Sequence, residues 1–241
     1  MHKVLEGHTV KRFDGELGHL HYLILEMGGL VLDQVRTSLH ALVDEDTGAA
    51  RQVLEREMRV TELGLRVDEE LVKVIAKRGP VARDLRAVVS FSKAVSDLER
   101  IDENAQRIAQ AALSMYESGS NVPSSALLRD VTIMGALGVE TLEAGLIVLD
   151  TLDSDAAENL LVKKRELDQE FQSCLRRLST FILEDARLVG HSIMITLVLR
   201  SLERIGDHAQ NLAEYVIYLM RGEDVRQRER VSEEEQVIGG Q

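Results

Sequence analysis

Four carboxylates, set as two pairs, are the residues of this chain whose types and spacing could do chemistry. Glu203 and Asp207 lie in the stretch Ser201-Leu202-Glu203-Arg204-Ile205-Gly206-Asp207-His208-Ala209-Gln210, and Glu99 and Glu103 lie in Asp97-Leu98-Glu99-Arg100-Ile101-Asp102-Glu103-Asn104-Ala105-Gln106. Each pair is spaced one helical turn apart, a spacing at which like charges cost ~0.2–0.5 kcal/mol. The unfavourable arrangement stands in both stretches, and a bound cation would turn the repulsion into chelation. Oxygen ligands without a partner thiol point to a divalent or trivalent metal ion, namely Mg, Mn or Fe, with Zn reached through His208.

Two carboxylates are too few to hold a metal, so an adjacent helix must contribute. The two motifs are 104 positions apart, and the same offset maps Glu62-Leu63 onto Glu166-Leu167 without a gap. By repeat position the further candidates are Glu62 and Asp68 in the first half and Glu166 and Glu170 in the second. Two bland readings compete. Acidic residues opposite an apolar stripe are what any soluble helix shows, and Arg100 and Arg204 are placed to hold the carboxylates by salt bridging. His208, which replaces Asn104 of the first copy, reads as a flanking or hydrogen-bonding residue. Glu16-Leu17-Gly18-His19 is the only Glu-x-x-His, whereas a ferritin-like di-iron bundle needs two. No glycine-rich phosphate loop, Gly-x-Ser-x-Gly elbow or His-Asp dyad occurs in the sequence.

The elements that must position these residues are long helices. In the first copy Leu98, Ile101, Ala105, Ile108 and Ala112 form an apolar stripe, and Glu99, Asp102, Glu103 and Gln106 are read as clustering roughly 160° away, on the outer face. The second copy sets Leu202, Ile205, Ala209, Leu212 and Val216 against Glu203, Asp207, Gln210 and Asn211. Upstream, a first helix runs from Phe13 to near Val43. A second follows a cap at Asp46 or Thr47 and stops at Lys77-Arg78-Gly79, and a third opens at Pro80 and reaches about Glu117. The plan then repeats: Ser125 to Leu152, a helix capped by Asp153-Ser154-Asp155, and one from about Ala186 to Arg221 stopped by Gly222. The expected fold is all-α, two tandem antiparallel three-helix bundles related by internal duplication. Residues 1–118 form the first bundle, 119–222 the second, and 223–241 a polar tail expected to be disordered.

Composition narrows the function. The 241 residues include two prolines and 3% aromatics, and the formal net charge is -12. That charge argues against general binding to nucleic acid or anionic lipid, both of which require neutralising phosphates. Cys174 is the single cysteine, so an internal disulfide framework is excluded and a reducing cytoplasm is expected. Neither a secretory signal nor a transmembrane segment is read from the sequence.

The motif Leu-Glu-Arg-Ile-Gly-Asp-His-Ala followed by Asn-Leu-Ala-Glu, residues 202 to 214, resembles the PhoU family, bacterial accessory proteins of phosphate-specific transport. The resemblance extends to Phe13-Asp14-x-Glu16-Leu17, to the two Glu-Leu pairs, to Pro80-Val81-Ala82-x-Asp84-Leu85-Arg86 and to both Leu-Glu-Arg-Ile motifs. It implies two similar three-helix bundles with metal-binding E/D-x-x-x-D motifs on their outer faces. It also implies a regulator that couples a phosphate ABC transporter ATPase to a sensor histidine kinase and damps the phosphate-starvation response, and it implies no enzymatic activity. The motif carries onto Glu203 and Asp207 unchanged. In the first half Asp102 stands where glycine is usual and Glu103 where aspartate is. A homo-oligomer, a dimer, is the expected assembly. The rival readings are a metal-dependent hydrolase using the clustered carboxylates and a purely structural helical scaffold.

Overall fold

The computed structural model describes residues 11–117, 125–185 and 188–225. Among them the chain forms α1 (Lys11–Val43), α2 (Thr47–Glu55), α3 (Glu57–Arg78), α4 (Ala82–Tyr116), α5 (Ser125–Thr151), α6 (Ser154–Glu184) and α7 (Val189–Arg221), with no strand. The expected all-α fold is therefore present. Residues 119–124 of the linker, the Ala186 start of the last helix and the tail from 226 lie outside the described residues.

The turns that separate the helices repeat between halves. Glu45 adopts a left-handed φ of 59° and hands the chain to Asp46, whose carboxylate accepts from the Ala49 amide at 2.9 Å. Leu152 does the same with φ 52°, and Asp153 accepts from Asp155 and Ala156. Each aspartate satisfies amides that the helix itself leaves unpaired. Gly79, φ 54°, and Gly222, φ 76°, end α3 and α7 in the left-handed conformation that favours glycine.

One expected helix is bent. Asp46 precedes Glu62 by 16 residues and Asp153 precedes Glu166 by 13, so the first half carries three more residues over the matching stretch. They are taken up at Arg56, φ -83° and ψ -6°, whose amide is shared between the carbonyls of Gln52 and Val53, and the single helix becomes α2 and α3. The third helix opens at Ala82, two residues later than the Pro80 start, because Val81 is extended.

α4 and α7 lie antiparallel against each other: Ser90 reaches Tyr215, Asp97 reaches His208, and Arg83 reaches Met220. α1 and α3 pack on α4, and α5 and α6 pack on α7. The apolar core runs continuously through this seam, with Leu98, Ile101, Leu202 and Ile205 fully buried. Val225, beyond the stop at Gly222, is also buried in the core, so the third residue of the expected disordered segment is docked.

α5 is long and apolar enough to cross a membrane by length and composition. Here it packs against α1, α6 and α7. Its glycines explain how closely it approaches α7: a Cβ at Gly145 would lie 2.9 Å from the Ala209 carbonyl oxygen. Gly29, on the exposed side of α1, has open space instead. Gly145→Ala is expected to cost ~1–3 kcal/mol because backbone must move, while Gly29→Ala adds ~0.5–1 kcal/mol through lost chain entropy alone. Urea denaturation of both variants checks the contrast; equal effects would mean that the α5/α7 contact is not tight.

Candidate metal centre

The second acidic pair carries its own cations. Lys164 on α6 reaches Asp207 at 2.5 Å and Asp168 at 2.8 Å, and Arg200 donates to both oxygens of Glu203 at 3.0 and 2.9 Å. Burial pulls the Lys164 ammonium down, but its hydrogen bonds to Asp168 and Asp207 outweigh it and raise the pKa above the usual lysine value. Burial, followed by the Asp207 charge, pushes Glu203 up. Lys164 thus stands where the sequence reading placed a metal, and it is Arg200 and Lys164, not Arg204, that neutralise the pair.

The first pair is built differently. Position 60, the counterpart of Lys164, is the buried Val60, and position 64, the counterpart of Asp168, is Gly64. Glu99 lies so close to Gly64 that a Cβ there would meet its Oε1 at 2.5 Å. The Glu99 carboxyl is raised by burial first and then by the charges of Asp68 and Glu103, with Arg100 opposing. Glu103 is exposed, and the Arg107 guanidinium stands 3.9 Å away, beyond hydrogen-bonding distance. Glu99 therefore feels the charges of Asp68 and Glu103, and no counterpart of Lys164 stands beside it.

Glu62 and Glu166 are exposed and make no ion pair or hydrogen bond among the described residues. Glu170 joins a separate group in which an oxygen from each of Asp130 and Glu170 and the Cys174 sulfur lie within 4.8 Å of one another. Arg177 already fills the middle of that group. It bonds Asp130 at 2.8–2.9 Å and Glu170 at 2.6 Å, and burial, with the Asp130 charge, pushes the Cys174 thiol up to about 12. A protonated thiol is a poor metal ligand.

Two aspartates read as surface or left unread are buried. Asp102, assigned above to the outer face, is 3% exposed. At about 100° per residue it lies only ~40° from Leu98, on the flank of the stripe, where α1 and α2 cover it. Its pKa is raised to about 6 by burial, against the hydrogen bond that Gln106 donates to Oδ2 at 2.8 Å. Asp97, on the opposite flank, accepts from His208 Nδ1 at 2.6 Å, Asn211 Nδ2 at 3.1 Å and the Tyr215 hydroxyl at 2.6 Å, all on α7. His208 is thus a hydrogen-bonding residue, as its sequence position suggested. Asp168 and Lys164 were missed, although a signal existed: Val60, on the first half's apolar stripe, maps by the 104-residue offset onto Lys164.

The architecture defines an all-α tandem repeat with an acidic cluster at corresponding places in each half. The PhoU domain family model matches twice, over residues 24–112 and 131–216. The chain belongs to the PhoU family. It is 39% identical over 222 residues to the phosphate-specific transport system accessory protein PhoU homolog of Pseudomonas aeruginosa, covering 92% of this chain and 90% of that one. It is 32% identical to the Escherichia coli K12 PhoU protein over the same 222-residue length, again covering 92% and 90%. The crystal structure of PhoU from P. aeruginosa superposes with a TM-score of 0.83 at 39% identity, over 88% of this chain and all (100%) of that one. That of the regulatory protein PhoU from Streptococcus pneumoniae gives 0.79 at 25% identity, over 88% and 98%.

Asp102 yields a pH prediction. Its folded pKa, about 6, stands above the ordinary value near 4, so the folded state holds the proton more tightly. Its favourable contribution is present below about pH 4 and is lost as pH rises through about 6. Asp102→Asn is expected to stabilise the protein by about 1–3 kcal/mol at pH 8 and to match wild type near pH 4. Denaturant melts at the two pH values check this; a variant less stable at pH 8 would mean that the charged form is well paired.

Proposed function

We propose that this chain regulates phosphate uptake as an accessory protein of a phosphate-specific transport system. In this reading it is cytoplasmic, non-enzymatic and dimeric. It couples the transporter ATPase to a sensor histidine kinase and damps the phosphate-starvation response. The observation that carries the reading is the match to proteins named as such accessories, which runs through both halves and nearly the whole of each chain. Deleting the gene should derepress a starvation reporter at high phosphate, and the protein should copurify with the transporter ATPase. A reporter that stays repressed overturns the regulatory assignment.

We assign metal binding first to Glu99, Glu103 and Asp68: burial, and then the charges of Asp68 and Glu103, raise Glu99, and no counterpart of Lys164 stands beside it. A hard cation there would neutralise the three oxygens. At Glu203 and Asp207 a metal must displace the Lys164 ammonium. Elemental analysis after Mn²⁺ loading should therefore show that Glu99→Gln loses metal, whereas Lys164→Met gains it in the second half. Lys164→Met should also cost the metal-free protein ~1–2 kcal/mol, since Asp207 and Asp168 lose their shared cation. Metal content unchanged in both variants would leave the acidic faces merely solvated.

A further inference from the structure

The α4/α7 seam is related to itself by the duplication, so each contact on one side has a counterpart on the other. On one side Asp97 receives His208, Asn211 and Tyr215. Adding 104 to Asp97, Asn104, Arg107 and Ala111 gives Ser201, His208, Asn211 and Tyr215, so the counterpart contact is Ser201 facing Asn104, Arg107 and Ala111. There a serine replaces the carboxylate, an alanine replaces the tyrosine, and a guanidinium replaces a carboxamide. The shortened side chains leave a groove of about 350 Å³ that Arg107, Ala111 and Ser201 line together with Arg200, Arg204, Met194 and Leu197. On one side the seam supplies its own oxyanion; on the other it loses that carboxylate and the tyrosine hydroxyl and gains the Arg107 guanidinium.

The donors suit an anion. Three guanidiniums meet at one opening in a chain of net charge -12, a local reversal of sign that attracts negative ligands. Arg200 is held in place by Glu203 and lies over the Phe171 ring, 5.7 Å from its centroid. Arg204 makes no ion pair among the described residues. Guanidinium forks bind phosphate oxygens in pairs; Arg107 stands 3.9 Å from Glu103 and Arg200 bonds Glu203, which leaves Arg204 in excess. The volume also exceeds what a bare ion fills, and Met194 and the 58% exposed Leu197 supply an apolar wall.

We propose that this groove is a binding site for a small organic phosphate. Arg107, Arg204 and Arg200 hold the phosphate head near Ser201, in the place that Asp97 fills on the other side of the seam, and Met194 and Leu197 carry the organic body. The site shares Arg200 with Glu203 and Arg107 with Glu103 of the acidic pairs, and it does not depend on the regulatory reading.

Calorimetric titration of the full chain in chelator-treated, low-salt buffer tests it with three probes: adenosine monophosphate, inorganic phosphate and adenosine. The nucleotide should bind, more tightly than inorganic phosphate, and adenosine should be weakest. Arg204→Gln, an exposed substitution that leaves the fold in place, should weaken nucleotide binding by about tenfold or more. Ser201→Asp, which supplies the missing carboxylate, should abolish it. Phosphate binding as tight as nucleotide binding would identify the free ion as the ligand and overturn the organic part of the assignment. No binding of nucleotide or phosphate, or binding that Arg204→Gln leaves within about twofold of wild type, overturns the site itself.

Discussion

A buried carboxylate joins the two halves of this protein. Asp97 is 6% exposed and belongs to the first half, yet its three side-chain donors, His208, Asn211 and Tyr215, all sit on α7 of the second. Leaving such a group without donors costs more than an ordinary hydrogen bond contributes, because its solvation is lost and not replaced. The partners occupy one face over two turns of α7, so sliding α7 by a single turn would strand the carboxylate. The apolar residues beside it, Leu98, Ile101, Leu202 and Ile205, tolerate more than one register; Asp97 does not. Since α4 and α7 also carry the acidic pairs and the arginine groove, this contact fixes where all of them stand.

The duplication supplied two copies of each position, and the pairs have diverged in charge as well as in shape. Val60 and Lys164, Gly64 and Asp168, Asp102 and Gly206, and Asp97 and Ser201 occupy matching places. In the second half Lys164 neutralises Asp168 and Asp207, and the glycine at 206 accepts the Leu167 side chain, which approaches so closely that a Cβ would collide. In the first half the glycine has moved to the neighbouring helix, where Gly64 admits Glu99, and an aspartate stands at 102. The packing problem, one close approach between the two helices, is solved from opposite sides. The electrostatic problem is solved only in the second half, which is why the cation reading rests on the first.

The helices, their caps and their stops were legible because each depends on local chemistry: Asp153 before α6, Gly79 after α3, and the apolar stripes of α3, α4, α6 and α7. The bend at Arg56 was not, although the three extra residues that cause it stand in the sequence, because the apolar stripe continues through it from Val53 to Val60. Asp102 and Asp97 were misplaced or unread for a different reason. Each lies on a flank of the stripe of α4, and a flank is solvent or interior depending on which neighbour covers it. α1 and α2 cover the one and α7 the other, and neither fact is written in the helix itself. Lys164 shows the same limit, since its charge suggested surface while its position on the stripe meant interior.

Arg200 ties the acidic face to the groove. Its guanidinium bonds Glu203 on one side and lines the arginine groove on the other, so one group serves two places of opposite preference. A cation that engaged Glu203 would weaken its hold on Arg200 and leave the guanidinium free to meet an anion. An anion that drew Arg200 into the groove would in turn expose Glu203 to a cation. Linkage requires the two effects to be equal in free energy. The favourable sign follows from a single residue changing partners, with no shift of the helices and no movement across the Asp97 contact. Two sites of opposite charge on one rigid seam can therefore respond to each other while the fold that positions them stays fixed.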